Sequence, residues 1–193
     1  MSALLLSDVL PEAAAQAPGY ADLLAHARYP GHQLTLAFAG VIASALAARQ
    51  RPLIVGLAEC DFACLMQTFF PGLQLNNGAR QAHGGIDEYD DLVALLMVHR
   101  QHRTTALEWL SHAIASACLR DNHLWQDMGL PSRTVLGQLM QTQFPSLAAK
   151  NVGDMKWKKF FYRQLCEREE ILICKSPHCA DCSDYLNCFG PEE

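Results

Sequence analysis

The stretch DMKWKKFFYRQLCERE, residues 154–169, contains the repeat that decides the fold. Its large apolar residues Trp157, Phe161 and Leu165 recur every four positions. This spacing is typical of the buried face of an α-helix. Asp154 is predicted to be the N-cap, because a carboxylate there accepts a hydrogen bond from an unpaired backbone N–H group. The stretch therefore predicts a helix with one aromatic face against a core.

Helical periodicity extends through most of the chain, whereas strand signals are weak. The β-branched residues are scattered, and no two alternating runs flank a hairpin turn. Further helices are predicted over Leu34–Ala48, Glu59–Phe70, Asp87–Gln101, a segment that starts with a capping box at Thr105–Glu108, and Pro131–Phe144. We therefore expect an all-α fold: a compact helical domain with an irregular C-terminal cysteine-rich segment that binds metal.

Composition limits both the size and the partners of the protein. The chain has 193 residues, of which 50% are apolar, and a formal net charge of −5. This length favours one domain, with residues 1–153 as the helical part, residues 1–16 as a candidate flexible lead, and residues 154–193 as a basic helix and tail. The acidic balance argues against nucleic-acid binding, since phosphate backbones would be repelled.

Neither a membrane span nor a secretory signal is predicted. The longest uncharged run, residues 33–48, is too short to cross a bilayer comfortably. The N-terminus lacks a basic region, and Asp8 and Pro11 interrupt its apolar residues. We therefore expect a cytoplasmic protein that does not bind membranes, in a compartment where disulfides are disfavoured.

Four cysteines near the C-terminus form the clearest candidate site. Cys174, Cys179, Cys182 and Cys188 have the spacing C-x4-C-x2-C-x5-C. Four thiolates suit structural zinc, and they also suit an iron–sulfur cluster. Structural zinc more often uses two C-x2-C pairs separated by a long gap, so the single short segment favours a cluster without excluding zinc.

Four further side chains are candidate additional ligands or groups that contact the ligands. His178 lies between two of the clustered cysteines, and its imidazole is a candidate hydrogen-bond donor to sulfur. Cys166 and Cys118 are alternatively apolar packing residues, and His123 is alternatively a helix cap. For the pair Cys60 and Cys64 and for the pair His99 and His102, the structural interpretation is preferred: packing on a helix for the cysteines and a helix C-terminus for the histidines.

The C-terminal segment DMKWKKFFYRQLCEREEILICKSPHCADCSDYLNCFGPE (154–192) resembles the NifQ family. The stretches ACLRDNHLWQDMGLPSRTVLGQLM (117–140) and DEYDDLVALL (87–96) are similar to it as well. The resemblance implies a molybdenum–iron–sulfur cluster on the four cysteines of the motif. It further implies a donor of molybdenum for the iron–molybdenum cofactor of nitrogenase, with the NifE–NifN scaffold and the nitrogenase iron protein as recipients and molybdate as the metal source.

A basic face precedes the cysteines. Lys156, Lys159 and Arg163 share it, and Lys158 and Arg168 add to the positive charge. We expect these cations to stabilise an anionic cluster, and Lys156, Lys159 and Arg163 are candidate contacts for molybdate or for an acidic partner surface.

Two alternatives to the donor remain: an interaction module with structural zinc, and an electron carrier similar to ferredoxins. The zinc module predicts a colourless protein whose tail unfolds with a chelator. The electron carrier predicts iron without molybdenum. No Walker loop, G-x-G-x-x-G, H-E-x-x-H or G-x-S-x-G motif is present, and no nucleophile stands out with its base. We therefore expect no enzymatic activity.

Overall fold

The structure, a computed structural model, describes residues 18–78, 87–169, 179 and 182–192. Within these ranges the chain forms ten α-helices and no β-strand, which confirms the all-α prediction. The helices are α1 (Tyr20–Ala25), α2 (Gln33–Ala47), α3 (Glu59–Phe69), α4 (Asp87–His99), α5 (Thr105–Cys118), α6 (Leu124–Asp127), α7 (Arg133–Gln143), α8 (Pro145–Ala148), α9 (Trp157–Arg168) and α10 (Tyr185–Phe189). The candidate flexible lead, residues 1–16, lies outside the described residues, and the division at residue 153 stays a prediction.

Helices α2 and α5 form the centre of the molecule. Helix α5 packs against α2, α3, α4 and α6. Most of α2 is buried, as its run of apolar residues predicts. The fully buried Phe38 of α2 lies with its ring centroid 4.8 Å from that of Phe69 at the end of α3. This aromatic contact joins α2 and α3 in one core.

Helix α2 also packs directly on the turn between α6 and α7. Gly129 in this turn has a φ of +62°, and a Cβ atom there would lie 2.5 Å from the carbonyl oxygen of Gly40 in α2. A Cβ atom on Gly40 would overlap the carbonyl oxygen of Met128. Glycine is therefore needed on both sides, because only two bare backbones can approach this closely.

Helix α9, which leads to the cysteines, is fixed by its aromatic face. Trp157, Phe160 and Phe161 are buried and lie within 6.1 Å of one another between ring centroids. The helix packs against α4. The predicted apolar face of residues 154–169 is therefore confirmed.

A buried ion pair ties the start of α9 to α6. The Lys158 ammonium lies 2.6 Å from the fully buried carboxylate of Asp127 and also donates to the carbonyl oxygen of Arg120 at 2.6 Å. Arg120 itself lies 3.5 Å from the same carboxylate. A buried charge is tolerated when it is paired and hydrogen-bonded in this way.

Two predicted helix starts are wrong in detail. Asp154 does not cap α9, because it has a φ of +52° and its carboxylate pairs with Arg133 at 2.9 Å. Lys156 takes the N-cap position and makes no side-chain cap bond. Helix α5 is capped by Thr104, whose hydroxyl accepts from the N–H group of Leu107 at 3.4 Å, and not by Thr105. Both shifts follow from backbone conformation, which spacing in the sequence does not fix.

Candidate metal centre

Three of the four clustered cysteines are described, and two of them share a turn. The N–H group of Cys182 donates to the carbonyl oxygen of Cys179 at 3.2 Å, and Tyr185 N–H donates to that of Cys182 at 3.1 Å. Cys188 follows in α10, and all three thiols belong to half-buried residues. Cys174 and His178 lie outside the described residues.

Helix α10 is docked on the loop that precedes α9. The N–H group of Lys156 donates to the carbonyl oxygen of Cys188 at 2.8 Å. Phe189 lies against Gly153, where a Cβ atom would be 3.2 Å from its ring. Tyr185 stacks on Phe189 with 4.7 Å between ring centroids. These contacts place Cys188 beside the N-terminal end of the basic helix.

Arg163 connects the basic helix to the cysteine turn. Its Nη1 atom lies 3.2 Å from Cys179 Sγ, and its Nε atom donates to Glu167 Oε1 at 2.8 Å. Both contacts raise the pKa of the guanidinium, the Glu167 bond more strongly. A cation that donates to a thiolate stabilises its negative charge and orients the sulfur.

The other predicted cations divide into two groups. Lys156 lies against α10, with its Nζ atom 3.4 Å from the carbonyl oxygen of Leu186, and Lys159 is exposed. The prediction that Lys158 and Arg168 add to the charge near the cysteines is wrong. Lys158 forms an ion pair with the buried Asp127, and Arg168 forms one with Asp91 on α4 at 2.6 Å.

An anchor that the sequence did not indicate holds the end of the cysteine segment. The carboxylate of Glu192 has only 3% of its side chain exposed and lies 2.7 Å from Arg133 Nη1. The imidazole of His123 lies 3.7 Å from the same carboxylate. The backbone N–H group of His123 donates to Gln126 Oε1 at 3.1 Å, at the N-cap of α6. The predicted cap role of His123 is confirmed, and it also faces the tail.

Cys118 and Cys166 have different environments. Cys118 is buried at the end of α5, and burial raises the pKa of its thiol to about 12, against the opposing effect of Lys158. The prediction that Cys118 packs in the core is confirmed, and it is a neutral thiol at physiological pH. Cys166 is half-buried in α9 next to Leu165, and a ligand role for it stays a prediction.

The cysteines of α3 are not packing residues, so that prediction is wrong. Cys60 and Cys64 are both exposed. Helix α3 instead buries Phe62 and Leu65 on its inner face, which leaves the two thiols on the outer face. His99 ends α4 as predicted and bonds Ser146 Oγ at 2.8 Å.

A cleft opens next to the cysteine segment, between α9 and the preceding loop. Its volume is about 450 Å³. Its lining includes Lys150, Val152, Gly153, Arg163, Gln164 and Phe189. The cleft therefore shares Arg163 with the cysteine turn and Phe189 with α10.

The donor set of this segment fits a soft metal centre. Cys179 and Cys182 come from one turn, and thiolates are the ligands that iron–sulfur clusters use. In the described part of the chain, no three side chains of His, Cys, Asp or Glu converge as a closed metal site would require.

Across the same residues, no helix is long and apolar enough to cross a membrane.

Comparison with known proteins gives the family. The NifQ family model matches residues 37–190. Protein NifQ of Azotobacter vinelandii is 39% identical over 155 residues, which cover 73% of this chain and 80% of that protein. Protein NifQ of Rhodobacter capsulatus is 37% identical over 139 residues, which cover 72% and 77%. No solved structure matches the chain. The chain belongs to the NifQ family.

Proposed function

We propose that this protein carries a molybdenum–iron–sulfur cluster on its cysteine segment and donates the molybdenum for nitrogenase cofactor assembly. Proteins of the NifQ family take part in the biosynthesis of the iron–molybdenum cofactor. The observation that supports the carrier role is the contact of Arg163 with Cys179, at 3.2 Å, in a turn that also contains Cys182. This arrangement suits an anionic, thiolate-bound cargo.

The proposed cargo is held by Cys174, Cys179, Cys182 and Cys188. When bound, the iron–sulfur part supplies a sulfide-rich environment for molybdenum, which enters as the hard oxyanion molybdate. Arg163 offsets negative charge at the Cys179 sulfur, and Glu167 holds the guanidinium in place through its Nε atom. The described thiols belong to half-buried residues, which suits a cargo that must be released again.

The proposed recipients are the NifE–NifN scaffold and the nitrogenase iron protein. The protein acts in the cytoplasm as a carrier and turns over no small-molecule substrate. Helices α1–α9 hold the site in place: Lys158 fixes the start of α9, and Arg133 fixes the chain end through Glu192. Both residues have their contacts with other side chains and the backbone rather than with the described cysteines, so we assign them positioning roles.

Metal content tests this function directly. The protein is purified without oxygen from cells supplied with molybdate, and its molybdenum, iron and zinc are measured together with its absorption spectrum. We expect a brown protein with molybdenum and iron, both largely lost in Cys182→Ala. Cys60→Ala is the matched control, since that thiol is exposed on α3, and it should keep both metals.

Three results would contradict the proposal. A colourless protein with one zinc would identify a structural-zinc interaction module. Iron without molybdenum, with reversible one-electron reduction, would identify an electron carrier. Full metal content in Cys182→Ala would show that the cysteine segment is not the site.

A further inference from the structure

Three large apolar side chains next to the cysteines are turned to solvent. Val152 is 90% exposed, Leu186 72% and Tyr185 43%. Val152 lines the cleft together with Phe189, and Tyr185 stacks on Phe189. We name Val152, Tyr185 and Leu186 the apolar ridge. Exposed apolar side chains that cluster at one place, rather than being scattered singly, mark interaction sites.

Two lysines without acidic partners among the described residues lie at the apolar ridge, and a third lies one turn farther along α9. Lys150, Lys156 and Lys159 form no ion pair with any described residue, although the whole chain has a net charge of −5. Lys150 lines the same cleft as Val152, and Lys156 contacts the carbonyl oxygen of Leu186. Glu167 in this cleft and the nearby Asp154 are already paired, with Arg163 and Arg133, so the lysines leave this region locally positive on an acidic protein.

This charge distribution selects among occupants. A second copy of the chain docked ridge to ridge would place lysines against lysines, and like charges across an interface are unfavourable. A nucleic acid would match the lysines but would be repelled by the net charge and would leave Val152 and Leu186 unused. An apolar surface with a rim of carboxylates matches both features.

We propose that the apolar ridge is the docking site for the protein that accepts the molybdenum, and that this protein presents an apolar side chain framed by carboxylates. The inference rests on the proposed function. Leu186 and Phe189 flank Cys188 in α10, so an acceptor docked on the ridge lies beside the cysteine segment. The cleft receives the apolar side chain, and Lys150, Lys156 and Lys159 pair with the carboxylates.

Binding to the purified NifE–NifN scaffold and to the purified iron protein tests the docking site. The metal-loaded protein is compared with Val152→Ser/Leu186→Ser, and the dissociation constant is measured by biolayer interferometry. We expect one of the two proteins to bind, and the double variant to weaken that binding about tenfold or more, as expected when central apolar contacts are lost. In the otherwise unaltered protein, Lys156→Glu/Lys159→Glu should also weaken binding at low salt and should reduce the salt dependence of binding.

Val98→Ser and Tyr29→Ser are the matched controls. Val98 is 80% exposed on α4, and Tyr29 is exposed between α1 and α2, so both remove apolar surface elsewhere. Both should bind as the unaltered protein does. Metal content is measured on every sample. If the double variant loses metal, Val152→Ser alone decides, because Val152 lies in the loop before α9 and not in the cysteine segment.

The docking proposal and the proposed function fail in different ways. Unweakened binding of the ridge variants, with molybdenum transfer intact, overturns the docking site and leaves the carrier function standing. Binding of neither purified protein to the loaded chain also overturns the docking site. Dimerisation that Val152→Ser/Leu186→Ser abolishes would make the ridge a contact between copies and overturn it as well. Absence of molybdenum from the unaltered protein overturns the function itself.

Discussion

The helical body and the cysteine segment are held in place by different forces. The body, α1–α9, is held by buried apolar side chains such as Phe38 and Phe161. Helix α10, in the cysteine segment, contains no buried residue. It is held by the partly buried Phe189 against Gly153 and by a few polar contacts, namely Lys156 with Cys188, Arg163 with Cys179, and Arg133 with Glu192.

This difference separates stability from function along the chain. Regions with few buried apolar contacts open at a lower free energy than the core does. The metal exchange that we propose for this segment would benefit from such opening, while the body keeps the polar anchors in position. Substitutions in the body should therefore change global stability, whereas substitutions at the anchors should change only the segment.

The largest expected effect is on the core of the body. Phe38→Ala should lower the free energy of unfolding by about 3–5 kcal/mol, because Phe38 is fully buried against Phe69. Denaturation in urea, followed by circular dichroism, measures this change. Val98→Ala, at an exposed position, should stay within about 0.5 kcal/mol. Equal losses in both variants would show that Phe38 is not a core residue.

The buried ion pair should give the next effect. Lys158→Met leaves the Asp127 carboxylate buried with Arg120 and Asn122 as its remaining partners, and should cost about 3 kcal/mol. Lys159→Met is the matched control, since the neighbouring lysine is exposed, and should change stability by less than about 0.5 kcal/mol. The same urea titration decides, and similar midpoints for both variants would contradict a buried pair.

The anchor of the cysteine segment should affect the segment alone. Glu192→Gln should change the global free energy of unfolding by less than about 1 kcal/mol, because Arg133 keeps its pairing with Asp154. Hydrogen exchange in α10 should become about tenfold faster or more, since the chain end is released. Asp154→Asn, which alters the exposed partner of the same arginine, should leave that exchange unchanged. Equal exchange in both variants would argue that Glu192 anchors nothing.

A pH effect on the body should be the smallest. Burial lowers the pKa of His112, against the opposing effects of Glu108, Asp61 and Asp90. At a given pH near 6.5, His112 therefore binds a proton more readily in the unfolded chain than in the folded chain. The free energy of unfolding should decline gently as pH falls through and below about 6.5. The Tyr89 hydroxyl donates to the carbonyl oxygen of Val55, and the His112 ring forms a hydrogen bond with the same Tyr89 hydroxyl.

Thermal unfolding between pH 7.5 and pH 5.5 checks this prediction. His112→Gln should show a flatter dependence on pH than the unaltered protein does. His102→Gln, at an exposed position after α4, should not. A steeper dependence in His112→Gln would mean that the sign is wrong.

Much of the fold could be predicted because the relevant patterns are local. The helix predicted over Leu34–Ala48 is observed over Gln33–Ala47, and the one over Glu59–Phe70 is observed over Glu59–Phe69. Burial of one face produces a repeat every three to four residues, which a sequence displays directly. The predictions that helices start at Asp154 and Thr105 were wrong in detail because capping depends on backbone angles.

The sequence indicated the cysteines of the candidate site and the basic Arg163 beside them, but not the contacts that hold the site in place. The spacing of the cysteines predicts a shared metal centre, which stays a prediction, and the backbone hydrogen bond from Cys182 to Cys179 places these two cysteines in one turn. The pairs Arg133 with Glu192 and Lys158 with Asp127 join residues far apart in sequence. Such contacts depend on how α6, α7 and α9 pack, and no local pattern announces them. The exposure of Cys60 and Cys64 likewise depends on which face α3 buries.

The contact between Gly40 and Gly129 has a consequence for how far related chains can diverge. Each backbone occupies the space that the other's side chain would need. A replacement at one position cannot be rescued by a smaller residue at the other, because glycine is already the smallest. A related chain with alanine at either place is therefore expected to hold α2 farther from the turn after α6. In random mutagenesis both positions should accept no substitution, in contrast to the exposed Gly31, where a side chain would meet nothing.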